Sequence, residues 1–110
     1  MLNQTVIVGR LTKNVELEEV EGKKTGILTL EVPRSFKNED GEYETDFIDC
    51  RLWNGVCETT YEYCRKGDLI GIKGRIQTRN IENEDGTFSK IMEVIAEKVT
   101  FLSSKKQDEE

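Results

Sequence analysis

The chain has no histidine and, among its 110 residues, one proline and one tryptophan. Each scarcity removes a class of chemistry. Without histidine there is no imidazole to move protons near neutral pH, and the commonest metal ligand is missing. No P-loop and no G-x-S-x-G elbow occurs, and no group of residues has metal-ligand spacing. Asp46 and Asp49 stand three apart on a strand-like run, so they face opposite sides and cannot act as a carboxylate pair. No catalytic residue, metal site or cofactor is therefore expected. The three cysteines, Cys50, Cys57 and Cys64, are an odd number without close spacing. On one helix, Cys57 and Cys64 would be separated by about 10 Å of rise, beyond the roughly 7 Å reach of a disulfide. Three reduced structural thiols are expected. No apolar run approaches the roughly 20 residues of a membrane span. The opening Met1 to Arg10 has no small-residue cleavage site. No membrane association is expected, and a cytoplasmic location follows.

Hydrophobic residues make up 35% of the chain and charged residues another 35%, which points to one small domain with a thin core and a charged surface. The net charge of −6 argues against a phosphate-binding surface only if charge is averaged. Of the 22 acidic residues, 15 fall in four stretches: Glu16 to Glu21, Glu39 to Asp46, Glu82 to Asp85, and Asp108 to Glu110. The first three coincide with turns or strand ends, so the remaining surface can still carry a local excess of bases.

Turn signals are regular: Glu21-Gly22-Lys23, Glu39-Asp40-Gly41 and Glu84-Asp85-Gly86. They separate strand-like runs at Thr5 to Leu11, Gly26 to Val32, Thr45 to Trp53, Leu69 to Ile76, and Lys90 to Leu102. Val56 to Lys66 reads as a helix instead, with Cys57, Tyr61 and Cys64 at i, i+4, i+7 and Gly67 as a stop. Three strands, one helix and two strands predict an all-β fold, a five-stranded Greek-key OB-fold barrel with one short helix between strands 3 and 4. A plain β-sandwich would not need the helix. The domain is expected over 1–102, with 103–110 a short charged tail expected to be disordered.

Side chains alternate across a strand, so parity assigns faces. Ile48, Cys50 and Leu52 suit the core, leaving Phe47, Asp49, Arg51 and Trp53 on the outer face. On the fourth strand Ile70, Ile72 and Ile76 are expected to face in, and Lys73, Arg75, Gln77 and Arg79 to face out. Large outward rings are costly unless something covers them. Rings stack on bases of any identity and cations track phosphates, which suits a single-stranded nucleic acid. The same residues also fit a blander reading, with the rings under a neighbouring subunit and the cations merely solvated.

Four segments carry a family resemblance. Leu2-Asn3-Gln4-Thr5-Val6-Ile7-Val8-Gly9-Arg10-Leu11-Thr12-Lys13 resembles the opening strand of bacterial single-stranded DNA-binding proteins. Thr45-Asp46-Phe47-Ile48-Asp49-Cys50 with Leu52-Trp53 resembles their third strand, Tyr63-Cys64-Arg65-Lys66-Gly67-Asp68 the helix exit, and Gly74-Arg75-Ile76-Gln77-Thr78-Arg79-Asn80 the fourth strand. The likeness covers residues 1 to 102. It implies sequence-independent binding and protection of single-stranded DNA in replication, recombination and repair, a homotetramer, and a place at the nucleoid. It also implies base-stacking positions at Phe36, Phe47, Trp53 and Ile81, the last standing where an aromatic is usual. Phosphate contacts are implied at Arg10, Lys13, Arg34, Arg51, Lys73, Arg75 and Arg79. Family members usually end in an acidic tip that recruits replication and repair proteins. Gln107-Asp108-Glu109-Glu110 does not match it, so that recruitment is not expected. The alternative is an OB-fold adaptor of the primosomal kind, which would keep the core parity but lack the outward rings.

Overall fold

Alternating apolar residues build strands where the pattern predicts them, and a few exceptions shape the outside of the molecule. The computed structural model describes residues 1–104. In chain order it contains β1 (Thr5–Leu11), β2 (Glu18–Val20), β3 (Lys23–Lys37), β4 (Tyr43–Trp53), α1 (Asn54–Tyr63), β5 (Leu69–Glu82) and β6 (Phe88–Ser103). The strands lie in the order β1-β5-β6-β4-β3-β2, and β1 also pairs with β3. β1, β5, β6, β4 and β3 therefore close into a five-stranded barrel, with α1 between its third and fourth strands, as expected of an OB-fold. To reach both neighbours, β1 crosses from β5 to β3 at Gly9. A Cβ there would lie 2.6 Å from the Glu31 carbonyl oxygen, so only glycine lets the strands approach. The strand that the pattern misses is β2, three exposed residues paired to the edge of β3 and too short to show alternation.

The core obeys the parity. Leu28, Leu30, Cys50, Leu52, Ile70 and Ile72 are at most 1% exposed, and Ile48 packs half-buried against them. Each such leucine or isoleucine contributes about 1.5–3 kcal/mol relative to an exposed one. Cys50, Cys57 and Cys64 are free and buried. Burial pushes all three thiols up, Cys50 to about 11.

Ile76 departs from expectation. It keeps the inward parity but is 42% exposed, because β5 outruns the barrel. Its pairing with β1 ends at Thr5–Gly74, β6 parts from β4 at Cys50–Val94, and beyond the Ile76–Val94 rung β5 and β6 continue alone as a two-stranded arm. The Asn3 side chain takes over the edge that β1 leaves: it donates to the Ile76 carbonyl at 2.6 Å and accepts the Ile76 N–H at 2.9 Å. A register shift at Lys73/Gly74 marks the departure point. A Cβ on Gly74 would run into the Ile95 carbonyl there.

The helix is also shifted. α1 starts two residues before the expected Val56 and ends at Tyr63, not at Lys66. Its buried residues are Cys57 and Thr60, with Cys64 buried just past its end, while Tyr61 is exposed. Thr60 can stand in for an apolar residue because its hydroxyl donates back to the Val56 carbonyl at 2.7 Å. Cys64 is already extended, and Gly67 (φ 92) serves the following turn, closed by the Asp68 N–H to the Arg65 carbonyl. Of the expected tail, Ser103 closes β6, and residues 105–110 lie outside the described residues.

Candidate nucleic-acid interface

Opposed residues of paired strands share a face, so the register locates each expected contact. On β4, Phe47 opposes Glu31, Arg51 opposes Ile27 and Trp53 opposes Thr25. Phe47 is 66% exposed, and Trp53 is half-buried with the Arg51 guanidinium 5.9 Å from its ring centroid. Six residues of strand separate the two rings by about 20 Å. The Arg51 Nη1 also donates to Thr25 Oγ1 at 3.3 Å, which fixes the guanidinium against the sheet.

The end of β1, the loop after it and the turn after α1 supply cations beside these rings. Arg10, Phe47 and Lys66 line one shallow groove with Glu31 and Gly67. Lys13 and Arg51 line a second with Ile27, Glu16 and Glu18. Arg10 is anchored there, its Nη1 donating to the Gly67 carbonyl at 3.0 Å. Lys66 is a candidate that strand parity misses, because it sits in the turn after α1. The basic pair Arg65-Lys66 just before Gly67 was the available signal. Its first member is spent on structure, Arg65 Nη1 capping the Tyr61 and Cys64 carbonyls at 2.9 Å.

Across the barrel, Ile95 of β6 pairs with Arg51 on one side and Arg75 on the other. That rung carries the β4 face onto β5, where Arg75, Gln77, Arg79 and Ile81 follow outward along the arm. Ile81 is 37% exposed and opposes Ser89. Lys73 sits further round the wall, in the rung Val6–Lys73–Lys98. Phe36 is 63% exposed in the irregular end of β3, between the Pro33 and Lys37 pairings.

Beyond the turns and strand ends where the sequence concentrates them, carboxylates also stand along the strands beside the cations. Arg34 meets Glu44 at 2.6 Å and Asp46 at 2.9 Å. The Arg34 guanidinium holds the Asp46 carboxyl below its ordinary range. Arg75 meets Glu97, and Arg79 meets Glu93, each at 3.2 Å. At the arm's tip, Asp85 is spent locally, accepting the Thr87 N–H at 3.0 Å and its hydroxyl at 2.6 Å. The structure thus gathers Arg10, Lys13, Phe47, Arg51, Trp53 and Arg75 around the outer face of β4. It leaves Phe36 and Ile81 toward the far ends of two hairpins and Arg34 turned to carboxylates.

Comparison with known proteins bears on this arrangement. The family model described as the single-strand binding protein family matches residues 2–102. Single-stranded DNA-binding protein B of Bacillus subtilis is 46% identical over 109 residues, covering 98% of this chain and 96% of that protein. A single-stranded DNA-binding protein of Enterococcus faecalis is 43% identical over 111 residues, covering 100% of this chain but 59% of that one. Single-stranded DNA-binding protein 1 of Streptococcus pyogenes is 44% identical over 106 residues, 96% of this chain and 82% of its own length. With the barrel and its ring-bearing face in place, these matches lead to one conclusion: the chain belongs to the single-strand binding protein family.

Proposed function

We infer that this chain binds single-stranded DNA without a sequence code. The observation that carries the reading is the outer face of β4, where Phe47 and Trp53 lie open or half-open with Arg51 between them. An exposed ring is a stacking platform for any base, and a neighbouring guanidinium serves the phosphate that follows. Phe36 and Ile81 extend the stacking path. Arg10, Lys13, Arg34, Arg51, Lys73, Arg75 and Arg79 track the backbone, joined by Lys66. The protein acts by occupancy, not catalysis: it covers unpaired strands during replication, recombination and repair, in the cytoplasm at the nucleoid.

The assembly is a homotetramer. Support comes from the family resemblance and from the outer side of β1, where Val6 is 70% exposed and Val8 48%. The Val8 and Leu102 side chains converge over Gly71, so this face offers apolar surface to another copy. Light scattering at micromolar concentration tests it, and a monomer there would refute it.

Competition binding tests the function. Unlabelled oligo-dT, oligo-dC and a mixed single strand are expected to displace labelled oligo-dT within a few-fold of one another. Duplex of equal length is expected to fail. Equal competition by duplex would replace the reading with general polyanion binding.

A further inference from the structure

Three cations of the proposed DNA path, Arg34, Arg75 and Arg79, face carboxylates of the same chain. The geometry of the arm explains two of these pairs. Glu93 opposes Gln77 across the β5–β6 ladder, on the face that also carries Arg75 and Arg79, and its side chain is only 16% exposed. Glu97 owes its position to the register shift: Lys73 opposes Lys98 and Gly74 opposes Ala96, so Glu97 falls between rungs. A bulge of this kind re-aims a side chain, and here the Glu97 carboxylate reaches Arg75.

We propose that Glu93 and Glu97 are built-in competitors of the DNA phosphates, lowering affinity and flattening the salt dependence of binding along the arm. The inference rests on the single-strand reading given above. A phosphate arriving at Arg75 or Arg79 must displace a carboxylate that then remains beside it and repels it. The Arg75–Glu97 pair is exposed on both sides, and such pairs are weak and screened by salt. Arg79 is itself open to solvent beside the half-buried Glu93. A phosphate can thus reach both arginines, but each contact yields less than an unpaired arginine would. The strand is consequently held at the rings of β4 and exchanges readily along the arm.

The test is the Glu93→Gln/Glu97→Gln double variant, with oligo-dT affinity measured between 50 and 200 mM salt. One phosphate contact to single-stranded DNA adds about 0.7 to the slope of log affinity against log salt. Freeing two arginines is expected to steepen the slope by up to about 1.4, or about sevenfold more affinity lost over that range. Removing two negative charges from a chain of net charge −6 also acts at long range. Glu58→Gln/Glu62→Gln controls for that: it removes two charges from exposed positions of α1, opening the 3.3 Å Lys24–Glu58 pair, and involves none of the arm's arginines. If burial of Glu93 makes the double variant unstable in thermal unfolding, Glu97→Gln alone carries about half the change in slope. Tighter binding than this charge-matched control at low salt, with a steeper slope, supports the proposal. Binding equal to the control, or weaker, overturns it and makes the carboxylates struts that position the arginines. A parent protein that fails to bind oligo-dT overturns the function itself, a result separable from either.

Discussion

The β3–β4 ribbon and the β5–β6 arm are both long antiparallel hairpins extending from one barrel, yet they carry different chemistry. The ribbon has the rings, Phe36 and Phe47, with Trp53 at its base. The outer face of the arm has Arg75 and Arg79, each with its own carboxylate, and an isoleucine at 81. The ribbon therefore combines stacking with cations beside its rings, whereas the outer face of the arm offers charge without a ring. A contact to a base face depends little on salt, whereas a contact to phosphate releases counterions. Substitutions on the two hairpins should consequently leave different signatures.

The largest difference is in stability. Leu52→Ala empties a fully buried site in the barrel and is expected to cost about 2–5 kcal/mol in chemical denaturation. Met92→Ala, on an arm residue 70% exposed, should stay within about 0.5 kcal/mol. A loss at Met92 comparable to that at Leu52 would mean that the arm is covered, by a second copy for instance, and not open. Next comes the ribbon. Phe47→Ala should lose about 1–3 kcal/mol of oligo-dT affinity, the worth of one base–ring stack, at unchanged salt slope and unchanged stability. A flattened slope would mean that Phe47 mainly positions Arg10 in the groove they share.

The arm should respond more weakly. Ile81→Tyr restores a ring at an exposed position opposite Ser89 and is expected to tighten binding by about 1 kcal/mol, the low end for a stack. Destabilisation with no gain in affinity would remove residue 81 from the DNA path. Smallest of all, Arg75→Ala should weaken binding to every sequence alike and flatten the salt slope by less than about 0.7, because Glu97 already shares the charge. A drop by the full amount of about 0.7 would show that the pair opens at no cost when DNA binds.

The barrel was legible in the sequence because a buried strand repeats every two residues, as Ile48, Cys50 and Leu52 do. The arm was not. Ile76 has the same parity as Ile72, and nothing local reveals that β1 stops pairing at Gly74. The helix showed its period but not its buried face, since Thr60 satisfies its hydroxyl internally and Tyr61 looks the better core residue. Rings and cations on β4 were found by parity alone. Their neighbours were hidden for a physical reason: the Arg79–Glu93 and Arg75–Glu97 pairs join residues 14 and 22 apart in sequence, through a ladder register that a single sequence does not specify.

The central claim is that single-stranded DNA crosses the outer face of β4. Trp53, the chain's one tryptophan, reports on that face directly. Titrating the protein with oligo-dT at two salt concentrations, with binding followed in parallel by anisotropy of a labelled strand, compares occupancy with the environment of Trp53. The account predicts quenching that saturates together with the anisotropy and shifts to higher DNA concentration as salt rises. Saturating anisotropy with unchanged Trp53 emission would place the DNA elsewhere on the barrel and contradict it.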